Sequence, residues 1–109
     1  MSVDTEFKDY ILDHLSSLGT FETKNMFGGT ALMRDGTAFA KIKHGTLWLK
    51  VGDANINDFS KRGMAQYTYG KDNSRKLNFY ETPADVLDDA DMLTQWATKA
   101  CEAANRSRK

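Results

Sequence analysis

The sequence predicts an α+β domain in which an antiparallel sheet of about five meandering strands packs with N- and C-terminal helices. Apolar residues recur with helical spacing near both ends of the chain. Between them, residues 26–51 alternate with a period of two and contain Asp-Gly and His-Gly turn signals. Aromatic, alternating segments follow at 65–69 and 76–80. The predicted element order is α-β-β-β-α-β-β-α.

Size and composition fit one domain over residues 1–109, with an ordered core at about 4–104. The single Cys excludes an internal disulfide framework and a Cys-based zinc finger. No apolar stretch approaches the ~20 residues of a membrane helix. The N-terminus lacks the apolar region of a signal peptide. We therefore expect a cytoplasmic protein with no membrane segment.

The helices can be assigned from apolar spacing and from their boundary residues. The first predicted helix covers residues 4–18 and ends at Gly19. A short helix over 53–62 would be capped by Asp53. A helical turn near 82–88 would have Thr82 as cap and Pro83 at its first position. The last helix is predicted from Asp88 or Asp89 to about Ala104.

The two turn signals predict a strand register. Two-residue turns place Ala31 opposite Ala40 and Ile42 opposite Leu47. One face of the sheet is then apolar and small in its middle, so that the first helix could approach it closely. The residues of this face are Gly29, Ala31, Met33, Ala38, Ala40, Ile42, Leu47, Leu49 and Val51.

The opposite face mixes large apolar side chains with cations. Its residues are Thr30, Leu32, Arg34, Thr37, Phe39, Lys41, Lys43, Thr46, Trp48 and Lys50. Leu32, Phe39 and Trp48 could lie beneath the C-terminal helix, form a protein or dimer interface, or stack nucleic-acid bases beside the lysines. The candidate residues for a partner or nucleic-acid face are Arg34, Phe39, Lys41, Lys43, Trp48 and Lys50.

Charge is segregated along the chain although the formal net charge is zero. Residues 1–23 carry a net charge of −4, residues 24–76 carry +6, and residues 77–109 carry −2. A basic central segment could face an anionic partner. Acidic helices covering a basic sheet would give the same pattern.

No group of residues indicates catalysis, a metal ion or a cofactor. His14 lies on the apolar stripe of the first helix, His44 lies in a tight turn, and Cys101 lies among alanines. No spacing of these residues matches a transition-metal site or an activated thiol. The aspartates within 85–91 lack the pattern of a calcium loop and suit helix N-termini. We therefore predict a protein that is not an enzyme.

A series of short motifs is recognisable in this chain. In chain order they are Met26-Phe27-Gly28-Gly29, Arg34-Asp35-Gly36, Phe39-Ala40, Leu47-Trp48-Leu49-Lys50-Val51, Phe59, Tyr67-Thr68-Tyr69, Leu77-Asn78-Phe79-Tyr80, Pro83, Leu87-Asp88-Asp89 and Leu93-x-x-Trp96-Ala97. In this order and spacing they resemble the N-terminal domain of the TfoX/Sxy family. The resemblance spans roughly residues 7–104. Trp48 stands where the family usually has tyrosine.

The resemblance implies an α+β domain of a bacterial regulator of natural competence, with no catalytic residues to transfer. Regulators of this family promote transcription of DNA-uptake genes together with the cyclic-AMP receptor protein. That protein, or another transcription component, is therefore the expected partner, and a homodimer is a further alternative. The regulators also carry a C-terminal domain, which would begin where this chain ends. Direct nucleic-acid binding by the basic sheet segment and binding of a small ligand are alternative functions.

Overall fold

The computed structural model describes residues 3–26, 29–43, 45–72 and 74–107. Within these residues the helices are α1 (Val3–His14), α2 (Ile56–Ser60), α3 (Ala84–Leu87) and α4 (Ala90–Ser107), and a 3-10 turn covers Ser16–Leu18. The strands are β1 (Glu22–Met26), β2 (Gly29–Arg34), β3 (Thr37–Lys43), β4 (Thr46–Lys50), β5 (Gln66–Tyr69) and β6 (Arg75–Glu81).

The strands form one antiparallel sheet in the order β1-β2-β3-β4-β6-β5. The predicted fold class is therefore confirmed, with one strand more than the predicted five. The additional strand is β1, whose sequence Glu-Thr-Lys-Asn-Met has no apolar alternation. β1 forms a strand because it pairs with β2 at the edge of the sheet. A strand at this position does not have to bury apolar side chains on one face. Among the described residues, no helix is long and apolar enough to cross a membrane.

The register differs between the two central hairpins. Between β3 and β4 the predicted pairs Ala40–Leu49 and Ile42–Leu47 are present. Between β2 and β3 the register shifts by one residue, so that Ala31 lies opposite Lys41 instead of the predicted Ala40. The cause is a β-bulge, which places one extra residue, Phe39, on β3.

The bulge changes which side chains form the core. Leu32 and Phe39 are fully buried in the core cluster, so the prediction that they lie on the mixed face is wrong. Ala31 moves to the side of Lys41 in exchange. Burying Leu32 and Phe39 removes a large apolar area from water, which favours the bulged register.

All the described helices add apolar side chains to one core on one side of the sheet. Packing along β3 and β4 comes mainly from α4 rather than from α1, which was the expected cover. Small residues allow this close approach: a Cβ on Gly52 would lie 3.3 Å from the Cβ of Ala103. The side chains of the core are Ile11, Leu15, Leu32, Phe39, Ala40, Ile42, Leu47, Leu49, Val51, Phe59, Val86, Leu93, Ala97, Ala100, Cys101 and Ala104.

Helix starts differ in part from the predictions. The backbone N–H of Met92 donates to Asp89 Oδ1 at 3.1 Å, so Asp89 caps α4 as predicted. Pro83 is the residue before α3 rather than its first residue, because its ψ of 149° is extended, and no side-chain bond caps this helix. At the start of α2, Asn55 takes the place predicted for Asp53.

Candidate functional site

The side of the sheet away from the core carries a cluster of lysines and aromatic rings, here called the open face: Lys41, Lys43, Trp48, Lys50, Tyr67 and Phe79. Alternation along the strands places it there. Because Ile42, Leu47 and Leu49 point into the core, their neighbours on β3 and β4 point the other way. Phe79 lies opposite Lys50 and therefore shares its face. Neither Trp48, Tyr67 nor Phe79 belongs to the core cluster.

Aromatic rings form the floor of the open face. The Trp48 and Tyr67 rings meet edge to face, with centroids 5.0 Å apart and an interplanar angle of 85°. Phe79 is only 5% exposed, although no helix covers it. Lysine side chains cover Phe79 instead, because their long apolar stems can lie over a ring while the charge stays in water.

The lysine ammonium groups are held above these rings. Lys41 Nζ lies 5.4 Å from the centroid of Tyr67 and 5.3 Å from that of Phe79. Lys50 Nζ lies 5.2 Å from the centroid of Phe79. Lys43 Nζ donates a hydrogen bond of 3.4 Å to Tyr67 Oη. Cation–π attraction therefore gives Lys41 and Lys50 defined positions on the surface.

The positive charge of the open face is not neutralised by an ion pair within the described residues. The ion pairs seen there join Arg62 to Asp85 and Lys99 to Asp58, both between elements of the helical side. Glu81 lies opposite Trp48 in register, but no ion pair joins it to a lysine of the open face. The open face therefore presents ammonium groups that can bind an anionic group.

A shallow depression of about 120 Å³ adjoins the lysines, lined by Gly29, Ala31, Lys41, Lys43 and Tyr67 among others. Gly29 and Ala31 are the two smallest residues that line it. A Cβ on Gly29 would lie 2.7 Å from the carbonyl oxygen of Ile42, so this position excludes every side chain. Pockets for drug-sized ligands are roughly 300–1,000 Å³. The depression is thus large enough for one side chain rather than for such a ligand.

Trp48 leaves a polar atom without a partner. Within the described residues, no hydrogen-bond acceptor reaches its buried Nε1–H group. An unpaired buried donor destabilises the folded state by about 1–3 kcal/mol. The hydroxyl of Thr82 is in the same condition, but it lies at the start of α3 and does not belong to the open face.

The structure brings together four of the six candidate residues, Lys41, Lys43, Trp48 and Lys50, and separates the other two. Arg34 donates hydrogen bonds to the carbonyl oxygens of Leu18 (Nη2, 2.7 Å) and Thr20 (Nε, 3.3 Å) and so fixes the segment after α1. Phe39 lies in the core.

Two further residues of the open face, Tyr67 and Phe79, were absent from the predicted site. Their strands were recognised by aromatic alternation. Their approach to the lysines of β3 and β4 depends on the sheet order β4-β6-β5, which no local signal determines.

The remaining reactive side chains have structural roles. His14 Nδ1 lies 3.2 Å from the carbonyl oxygen of Tyr10, one turn earlier on α1. Burial raises the pKa of the Cys101 thiol, which disfavours the reactive thiolate. No group of His, Cys, Asp and Glu side chains within the described ranges could hold a metal ion. His44, Phe27 and Gly28 lie outside the described residues.

Comparisons with known proteins agree with the motifs. A family model described as the TfoX N-terminal domain matches residues 13–104. Protein Sxy of Escherichia coli (strain K12) is 27% identical over 97 residues. That match covers 88% of this chain and 46% of the relative, so the chain spans about half the length of Sxy.

Proposed function

Because the chain belongs to the TfoX N-terminal domain family, we propose that it is a non-enzymatic regulatory domain that acts in transcription, in the cytoplasm, by binding a protein partner at the open face. The observation that carries this proposal is the arrangement of Lys41, Lys43 and Lys50 over the rings of Tyr67 and Phe79. None of these lysines belongs to the core cluster, which lies on the other side of the sheet.

The contacts on the open face favour a protein over a nucleic acid. Single-stranded nucleic acids bind such sheets by stacking bases on free aromatic faces. Here ammonium groups already lie over Tyr67 and Phe79, and Phe79 is almost fully buried. A base would have to displace the lysines that attract its phosphate. The depression on the open face is smaller than the pocket of a drug-sized ligand, which argues against a small ligand at this face.

The expected partner follows from the family. Its regulators act together with the cyclic-AMP receptor protein, and that protein, or another transcription component, is the proposed partner of this chain. A second copy of the chain is the alternative. Because the chain spans about half of Sxy, direct binding should be measured together with the transcriptional effect.

The proposal can be tested in a bacterial strain that lacks its own TfoX/Sxy regulators and carries a reporter fused to a DNA-uptake promoter. We expect expression of the chain to change reporter output several-fold in the presence of the cyclic-AMP receptor protein. Lys41→Glu should abolish the change, because it reverses one charge of the open face. Lys61→Glu reverses an exposed lysine at the end of α2 and serves as the matched control.

Two results would contradict the proposed function. One is a combination of two negative findings. The reporter output equals that of cells carrying the empty vector, and the purified chain does not bind purified cyclic-AMP receptor protein in biolayer interferometry. The other is an equal response of the wild type and Lys41→Glu at equal protein levels. The second result would leave a regulatory domain whose binding surface lies elsewhere.

A further inference from the structure

Building on the proposed function, we propose that the open face recognises a short acidic segment of the protein partner. In this arrangement carboxylates pair with Lys41, Lys43 and Lys50, and one apolar side chain enters the depression at Gly29 and Ala31. The proposal specifies the chemistry of the partner at the surface described above. It rests on charge, on the geometry of the ammonium groups, and on the size of the depression.

The ammonium groups are arranged to accept carboxylates. Each lysine has three N–H donors, and a cation–π contact uses none of them for a hydrogen bond. Lys41 and Lys50 therefore keep their donors while the rings restrict their motion. Binding a carboxylate to a side chain that is already positioned costs less conformational entropy than binding it to a free lysine.

The depression selects for a single apolar side chain beside the carboxylates. Its floor is backbone and methyl group, because Gly29 has no side chain and Ala31 has only Cβ. Its rim is Lys41, Lys43 and Tyr67. A polar chain without an apolar residue would leave the depression unfilled, so charge alone gives an incomplete fit.

A short acidic segment fits the charge distribution better than a long polyanion does. The open face gathers three lysines, Lys41, Lys43 and Lys50, whereas α1 with its exposed carboxylates packs on the other side of the sheet. A segment with a few carboxylates matches this small number of cations, whereas a long polyanion would extend beyond them. The unpaired Nε1–H of Trp48 also lies on this face and could donate to a carbonyl of the bound chain after a small movement of the ring.

The two tryptophans provide a direct test by NMR. Trp48 lies on the open face, and Trp96 packs against Phe59 on the helical side. The probe is a dodecapeptide of alternating Glu and Leu pairs, titrated into ¹⁵N-labelled protein at low salt. We expect the indole N–H signal of Trp48 to shift with saturation while that of Trp96 stays in place. The unchanged Trp96 signal also shows that each variant is folded.

Matched variants and probes make the result specific. The double variant Lys41→Glu/Lys50→Glu should weaken binding at least ~tenfold, because two attractive charge pairs become repulsive. Lys61→Glu/Lys71→Glu makes the same change in net charge elsewhere and should bind like the wild type. A peptide with Gln in place of Glu should not shift Trp48, and a Glu-Gly peptide should bind more weakly than the Glu-Leu peptide.

Other occupants of the face give recognisable results that would overturn the proposal. Equal binding of the Gln and Glu peptides would show that charge does not select the partner. A Trp48 shift with oligonucleotides but not with peptides would identify a nucleic-acid surface. A Trp48 shift that depends on protein concentration and is lost in Glu6→Gln/Asp9→Asn would identify a second copy as the occupant. If the reporter responds through Lys41 but acidic peptides do not bind, this inference fails and the proposed function stands.

Discussion

The covered face and the open face of the sheet use the same strands but differ in what determines their residues. On β4, Leu47 and Leu49 are fully buried, while Trp48 and Lys50 alternate with them and stay partly accessible. Packing against α4 accounts for the first pair. That packing does not determine Trp48 and Lys50, whose contacts are with other residues of the open face. The comparison indicates that the covered face determines the fold, whereas the open face is available for binding.

The largest expected effect would test the bulge that divides the two faces. Phe39→Ala should lower the free energy of unfolding by about 3–5 kcal/mol, because it removes a fully buried ring and leaves a cavity. The edge-to-face contact with Phe21, at 5.8 Å between centroids, would be lost as well. Urea unfolding followed by tryptophan fluorescence measures the change.

Lys41→Ala is the control for Phe39→Ala. Lys41 lies two residues after Phe39 on β3, but its side chain is on the open face. We expect it to lower the free energy of unfolding by only about 0.5–1 kcal/mol, because it removes a lysine stem and its cation–π contacts but leaves no cavity in the core. A loss below about 1 kcal/mol in Phe39→Ala would contradict the bulge and return Phe39 to the open face. In that case the predicted register would be the correct one.

An intermediate effect is expected where β4 leaves the sheet. Asn55 is 1% exposed; its Oδ1 accepts the N–H of Gly52 at 2.7 Å, and its Nδ2 donates to the carbonyl oxygen of Lys50 at 3.0 Å. Asn55→Ala leaves both backbone groups without this partner and should cost about 1–3 kcal/mol in unfolding experiments. Asn57→Ala, at an exposed position of α2, should be nearly neutral. Equal losses in the two variants would show that the Asn55 bonds do not stabilise this loop.

Much of the fold could be predicted because local signals and burial agree. The turn between β3 and β4 and the alternation of its strands gave a register that the structure confirms. The hairpin of β2 and β3 has the stronger turn signal, Asp-Gly, and Asp35 adopts the positive φ that this turn requires. Next to this turn Met33 lies opposite Ala38, as a two-residue turn predicts. The register differs only beyond the bulge, which is favoured by tertiary burial of Leu32 and Phe39 and which no turn signal reports.

The open face was predictable within one hairpin but not across the sheet. Lys41, Lys43, Trp48 and Lys50 were found together because they alternate along two adjacent strands. Tyr67 and Phe79 join them only because β6 pairs with β4. Arg34 was misplaced for another reason: its long side chain turns to the carbonyl oxygens of Leu18 and Thr20 beyond the sheet edge, a contact that strand alternation cannot predict.

The smallest expected effect concerns the ion pair between Arg62 and Asp85 on the helical side of the sheet. The lysines of the open face make no such ion pair within the described residues. A hydrogen bond from Arg62 lowers the pKa of the Asp85 carboxyl. The pair therefore stabilises the protein above the ordinary carboxyl pKa of about 3.9, and this contribution is lost as the pH falls through the lower pKa of the folded state. Asp85→Asn should lower Tm by no more than a few degrees at neutral pH, since both side chains are well exposed, and the difference from the wild type should vanish in acid. Asp91→Asn, at an exposed carboxylate in the first turn of α4, is the control. A difference in Tm that stayed constant from neutral to acidic pH would show that the effect of Asp85→Asn does not come from this ion pair.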